Sequence, residues 1–168
     1  MVQGKETKVA SLVLTLIVFC LLCLPIDVSA VGVSQGCTLW QRLCYSFFHA
    51  NIIHAAVNCW CLLSICFARP VSMWQLVAAY IIASTYPIDA LSTWYGNQLP
   101  TVGLSGAIFA LLGIISLRSR KCYFSVAIIG SFIMAGFFLP HINATLHLYC
   151  YLVGLIVGLL TTPITWKH

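Results

Sequence analysis

The chain has 168 residues, 61% of them hydrophobic and only 7% charged, with a net charge of +5; its mean hydropathy is +1.01. A soluble domain carries about a quarter charged residues, so this composition excludes an ordinary globular protein and describes a polytopic membrane one. The basic residues are scattered at the ends of apolar runs, which fits topology signalling and excludes a nucleic-acid partner.

Six apolar runs follow one another, each near the roughly 20 residues needed to cross a bilayer. They are Val9 to about Val28, about Cys44 to Ala68, Val71 to about Ile88, Gly103 to Leu117, Tyr123 to Leu139, and about Ala144 to Ile164. No repeat, linker or long polar stretch interrupts them. The expected architecture is therefore all-α: one six-span membrane domain over residues 1–168. The fourth run is short and needs its flanks to reach both faces. The first has a rival reading: Lys5, Lys8, an apolar stretch and "VSA" at 28–30 also resemble a cleavable leader.

Charge sets the orientation. With the N-terminus inside, the inner set is Lys5, Lys8, Arg69, Arg118, Arg120, Lys121 and Lys167, and the outer set is Arg42 alone. The bias obeys the positive-inside rule. Cys20, Cys23, Cys59, Cys61, Cys66 and Cys150 lie in apolar runs and read as small hydrophobes. "CWC" at 59–61 suits no single metal, and no metal or cofactor is expected. The spacing of Cys37 and Cys44 leaves a disulfide open.

Polar side chains inside spans are costly unless they are partnered or line a wet cavity. The second run carries "FFHANIIHAAVNCW", with His49, His54 and Asn58; the fourth opens with Ser105; the sixth carries His147. In the orientation above these runs are parallel. At about 1.5 Å per residue, all five residues fall in one layer roughly within 15 Å of the outer surface. His54 and Asn58, four apart, share a helix face. His49 is about 140° away from His54 in helical phase and is expected at the helix entrance, facing elsewhere. Gly106, Ala110 and Gly113 on the fourth run, and Gly154 and Gly158 on the sixth, form small-residue stripes that let backbones approach. Close packing of these runs would bring Ser105 to His147.

A serine hydroxyl attacks only when a base takes its proton. His147 is the candidate base. The only acids are Glu6, Asp27 and Asp89, and none is placed beside His147, so the expectation is a Ser–His dyad. Phe109, four residues after Ser105, is placed to stack on the imidazole. The Ser105 amide at a helix N-terminus, with His54 and Asn58, offers donors to an oxyanion. Gly103 and Gly106 would leave room around the nucleophile.

These residues resemble a known family. "GLSGAIFALLG" resembles the GxSG signature of rhomboid intramembrane serine proteases, "HANIIHAAVN" has their His-x4-His-x3-Asn spacing, and "HLYCYLVGLIVG" is similar to the motif that carries their catalytic histidine. The resemblance implies a six-span bundle, Ser105 as nucleophile and His147 as base. It implies His54, Asn58 and the Ser105 amide as oxyanion hole, and His49 as a loop anchor. It further implies cleavage of single-span membrane proteins in or near their transmembrane segments, with the lipid bilayer as surroundings and "FFLPHINAT" as a cap over the site. A bacterial plasma membrane is expected from the compact layout. Two departures stand out: Cys150 occupies a position where the family commonly has glycine, and the first-loop Trp-Arg pair reads "WQR", with Trp40 and Arg42 separated. A non-catalytic rhomboid-like scaffold is the alternative, although such relatives typically lack the Ser or the His. A small transporter fits the composition but not the shared depth of the polar residues. "NAT" at 143–145 matches a glycosylation acceptor but lies too close to the bilayer and His147 to be expected to serve as one.

Overall fold

The computed structural model describes residues 4–95, 100–117, 122–139 and 142–161. Among them the chain is helical: α1 (Lys5–Leu22), α2 (Val28–Val31), α3 (Leu39–Cys44), a 3₁₀ turn (Tyr45–Phe47), α4 (Ile52–Ala68), α5 (Met73–Ser84), α6 (Ile88–Tyr95), α7 (Ser105–Ser116), α8 (Cys122–Gly136) and α9 (Ala144–Thr161). A lone antiparallel bridge pairs Val33 with Thr101. Arg118, Arg120, Lys121 and Lys167, on which much of the charge bias rests, and Pro140 and His141 of the expected cap lie outside the described residues.

The apolar runs and the helices do not coincide everywhere. The expected second span is broken: Leu39–Phe47 and Ile52–Ala68 meet at 82°. Asn51 causes the restart. It is extended, and its side chain accepts the His54 N–H at 2.9 Å, capping α4. The third run holds one short helix, and α6 starts where that run ends. α5 ends at Ser84, and Pro87, which has no N–H and disfavours helix in the residue before it, precedes α6. By length and apolarity, α9 alone among the described helices could cross a bilayer, or two segments if the bent pair counts as one. The six-span expectation is therefore not met by helix length: α7 has 12 residues, about 18 Å.

α7 sits in the middle of the bundle. Its Ile108, Phe109, Ala110, Leu111 and Ile114 are all buried. A central helix wrapped by others does not need a full span of its own. The outer helices turn large apolar side chains outward, among them Leu16 on α1, Ile53 and Trp60 on α4, Phe132 on α8 and Leu160 on α9. An apolar exterior around a core containing polar groups is the reverse of a soluble domain.

α7 packs most extensively on α9 and next on α5. Glycine makes the first contact possible. A Cβ at Gly154 would overlap the Ala110 carbonyl oxygen, and one at Gly158 would lie 2.6 Å from the Ile114 carbonyl oxygen. Gly113 lies against the Tyr151 carbonyl and 2.8 Å from the Leu155 nitrogen, measured the same way. The stripes seen in the sequence thus bring two backbones together. Near the far end of this pair, the Ser116 hydroxyl meets the Tyr151 hydroxyl at 3.2 Å. α1 is a packed element: Thr7, Ser11 and Val18 are buried, and the Thr7 hydroxyl donates to the Val71 carbonyl at 2.9 Å. Cys37 and Cys44 are free thiols.

Candidate active site

Three helices begin in the same layer. His54 is the third residue of α4, Ser105 the first of α7 and His147 the fourth of α9. Ser105, His54 and His147 each lie in the first turn of their helix. His147 Nε2 lies 2.9 Å from Ser105 Oγ. With the ring proton on Nδ1, Nε2 accepts from the serine hydroxyl. Phe109, one turn below Ser105, stacks on the imidazole with ring centroids 4.4 Å apart and planes at 23°. The ring is thereby held in the plane that aims Nε2 at Oγ.

The segment leading into Ser105 is fixed residue by residue. Thr101 pairs with Val33 through two backbone hydrogen bonds of 2.9 Å, and the Gly103 N–H donates to the Tyr45 carbonyl at 3.0 Å. The Leu104 N–H points at His49 Nε2, 3.4 Å away. Gly103 has φ of +117°, open to glycine but strained for other residues. A Cβ there would sit 2.9 Å from His54 Nε2 and 3.2 Å from Asn58 Nδ2. The chain therefore lies directly on these two side chains just before it delivers Ser105. Asn58 Nδ2 is buried without a hydrogen-bond partner. Leaving such a donor unpaired costs about 1–3 kcal/mol, so it stands ready for an acceptor entering beside Gly103.

Two expectations are corrected here. His49 does not face away from His54: their rings meet edge to face at 5.0 Å. Helical phase does not apply, because His49 precedes the α4 cap and lies outside the helix. Gly106 does not clear space around the nucleophile. A Cβ there would meet Tyr45 Oη at 3.0 Å, Ala83 at 3.3 Å and Cys150 Sγ at 3.5 Å, so Gly106 seats α7 against α5 and α9.

Among the described residues no carboxylate bonds His147. Asp89 is committed elsewhere: one oxygen accepts the Gly36 N–H at 2.7 Å and the other holds Arg42 Nη2 at 2.7 Å. Replacing Asp89 with Asn should therefore leave Ser105 reactivity within about threefold of wild type and cost at most about 1 kcal/mol, as expected for an exposed ion pair. Labelling by a serine-directed probe, with a melting curve alongside, checks this; a loss of a hundredfold would mean that Asp89 serves the site.

Sequence reasoning did not find Asn51, Tyr45, Thr101 or Asn143. Asn51 and Asn143 each stand just before a helix, the position that favours Asn as a cap, and that signal could have found them. Tyr45 and Thr101 act through contacts distant in sequence, which no local pattern announces.

A family model described as Rhomboid domain matches residues 36–168. The chain belongs to the rhomboid family. It is thus a membrane protein, in keeping with its outward apolar side chains. Comparison with curated proteins and with solved structures gives no significant match. The departures from the rhomboid pattern acquire a physical reading. Cys150 is fully buried and faces Gly106, so the thiol fills the space that a second glycine would leave. Trp40 is exposed, while Arg42 ties α3 to the chain between α5 and α6, donating to the Tyr86 carbonyl at 2.7 Å as well as to Asp89. The first loop is thus pinned through the arginine. Asn143 of the "NAT" sequence is 8% exposed, and its amide nitrogen donates to Thr101. The folded chain therefore presents no free acceptor there.

Proposed function

We propose that this rhomboid is an intramembrane serine endopeptidase that cleaves peptide bonds in or near transmembrane segments of single-span proteins. The observation that carries the reading is the 2.9 Å contact between Ser105 Oγ and His147 Nε2 at the N-terminus of a central helix. At the first position of α7, Ser105 meets an imidazole that is itself held by the stacked Phe109 ring.

In this reading Ser105 Oγ attacks the scissile carbonyl carbon as its proton passes to His147 Nε2. The carbonyl oxygen, now an oxyanion, takes hydrogen bonds from the Ser105 N–H, Asn58 Nδ2 and the His54 ring. Collapse breaks the C–N bond, and the proton on Nε2 goes to the leaving amine. Water, deprotonated by the same nitrogen, then hydrolyses the acyl-serine and restores the dyad. The six apolar runs cross the bilayer with the N-terminus cytoplasmic and the dyad near the outer face, as the distribution of basic residues favours. The short helices are carried across by their flanks and by burial within the bundle.

A fluorophosphonate probe in detergent or liposomes is expected to label the wild type on Ser105 and not to label Ser105→Ala. Equal labelling of both, or no labelling of folded wild type, sinks the reading in favour of a helix-binding scaffold.

A further inference from the structure

Ser105 begins α7 and His147 lies in the first turn of α9, where a helix carries the fewest intrahelical hydrogen bonds. One turn before each stands a polar residue: Thr101 is four residues ahead of Ser105, and Asn143 is four ahead of His147. These two meet as well. Asn143 Nδ2 donates to Thr101 Oγ at 3.0 Å. The dyad contact is thus repeated one step upstream by a second contact between the same two chain segments.

Each end of this second contact is itself anchored. The Thr101 backbone is paired with Val33 on both sides. Asn143 Oδ1 accepts the Leu146 N–H at 3.0 Å and the Thr145 hydroxyl at 2.8 Å, fixing the first turn of α9. Since the Thr145 hydroxyl donates to Asn143, it accepts from the Tyr86 hydroxyl at 2.6 Å. Tyr86 in turn receives Arg42 on its carbonyl. Among the described residues, the amide of Asn143 thus adds a second side-chain link, beside the dyad contact itself, between the loop that delivers Ser105 and the turn that delivers His147.

We propose that Thr101 and Asn143 are positioning residues that set the Ser105–His147 geometry. The inference rests on the dyad reading above. Packing of α7 on α9 through glycine fixes the separation of the helix axes. The lead-in loop is held by Val33 and Tyr45 and the α9 start by Tyr86, and the Thr101–Asn143 bond couples these two sets of anchors directly. Misplacing reacting groups by about 1 Å costs about a hundredfold, so a bond one turn away has leverage on rate without touching substrate.

Three variants separate positioning from folding. Thr101→Val keeps shape and the Val33 pairing but removes the hydroxyl. Asn143→Ser keeps a capping oxygen for the Leu146 N–H but is too short to reach Thr101. Thr101→Ser keeps the hydroxyl. With wild type and Ser105→Ala as controls, the rate of fluorophosphonate labelling, kcat and KM for a single-span test substrate, and the melting temperature are measured for each. Thr101→Val and Asn143→Ser should label and turn over about ten- to a hundredfold more slowly, with KM within about threefold and a cooperative melt retained. Thr101→Ser should stay within about threefold of wild type. Combining Thr101→Val with Asn143→Ser should cost no more than the worse single variant, because the same Thr101–Asn143 bond is lost in every case. Wild-type labelling rates in both Thr101→Val and Asn143→Ser overturn the proposal while leaving the dyad intact. So does loss of folding in both, which would make the pair a structural clamp. Failure of wild type itself to label overturns the dyad reading and this one with it.

Discussion

Replacing His147 with alanine is expected to lower cleavage of a single-span test substrate by at least about a thousandfold, and to abolish fluorophosphonate labelling of Ser105. The loss is large because no other base stands within reach in the described structure. Both Asp89 oxygens are occupied by Gly36 and Arg42, and the nearby imidazoles of His49 and His54 face the Gly103–Leu104 backbone. General base catalysis contributes about 10²–10⁴ in rate, and members of a catalytic unit are lost together rather than additively. The double variant with Ser105→Ala should therefore be no slower than either single one. Removing the imidazole also uncovers one face of Phe109, at a cost of about 2 kcal/mol by analogy with other large-to-small changes. The melting temperature must therefore be recorded with the rate. Cleavage within tenfold of wild type in a folded His147→Ala protein would refute the assignment of the base.

A Ser–His pair lacking a carboxylate must hold its imidazole by other means. Here the means are a stacked Phe109 on one side and, on the proposal above, a braced first turn of α9 on the other. Both act through shape rather than charge, which suits a bundle with three acids in 168 residues. Moving a carboxylate into such surroundings would add a desolvation cost of several kcal/mol. The glycine at 103 belongs to the same logic. It lets the backbone lie against His54 and Asn58 just before Ser105.

The contact between Ser105 and His147 was legible because membrane spans reduce the folding problem to two quantities, depth and phase. Charge at the ends of apolar runs gave the expectation of a shared depth, and small residues marked the faces of α7 and α9 that approach. The stack of Phe109 followed from simple i, i+4 spacing. The breaks at Phe48–Asn51 and Thr85–Pro87 were harder to see. Within a uniformly apolar run, hydrophobic periodicity is silent, and only Asn51 and Pro87 mark the boundary. The orientation of His49 was misread for this reason: a residue assigned to the wrong side of a helix cap receives a meaningless phase. Gly106 was misread differently. Glycine beside a candidate nucleophile invites a chemical role, whereas Tyr45, Ala83 and Cys150, distant in sequence, determine its packing role. The Thr101–Asn143 bond joins two loops, and nothing short of tertiary structure brings them together.

Gly154→Val should be the most disruptive single change away from the dyad. The added Cβ alone would overlap the Ala110 carbonyl, a backbone atom in a buried helix that cannot swing aside. α9 must then move off α7, and a shift that relieves the overlap separates His147 from Ser105. Overpacking of this kind costs about 1–3 kcal/mol and occasionally more, and the loss of packing along the α7–α9 seam adds to it. The expected result is a melting temperature lowered by several degrees together with loss of Ser105 labelling in the fraction that remains folded. Gly130 on α8 supplies the contrast. A Cβ there meets nothing within 4 Å, so Gly130→Ala should be neutral or stabilise the helix by up to about 1 kcal/mol, with activity unchanged. If Gly154→Val melts and labels like wild type, α7 and α9 do not pack as described, and the distance on which the dyad depends goes with them.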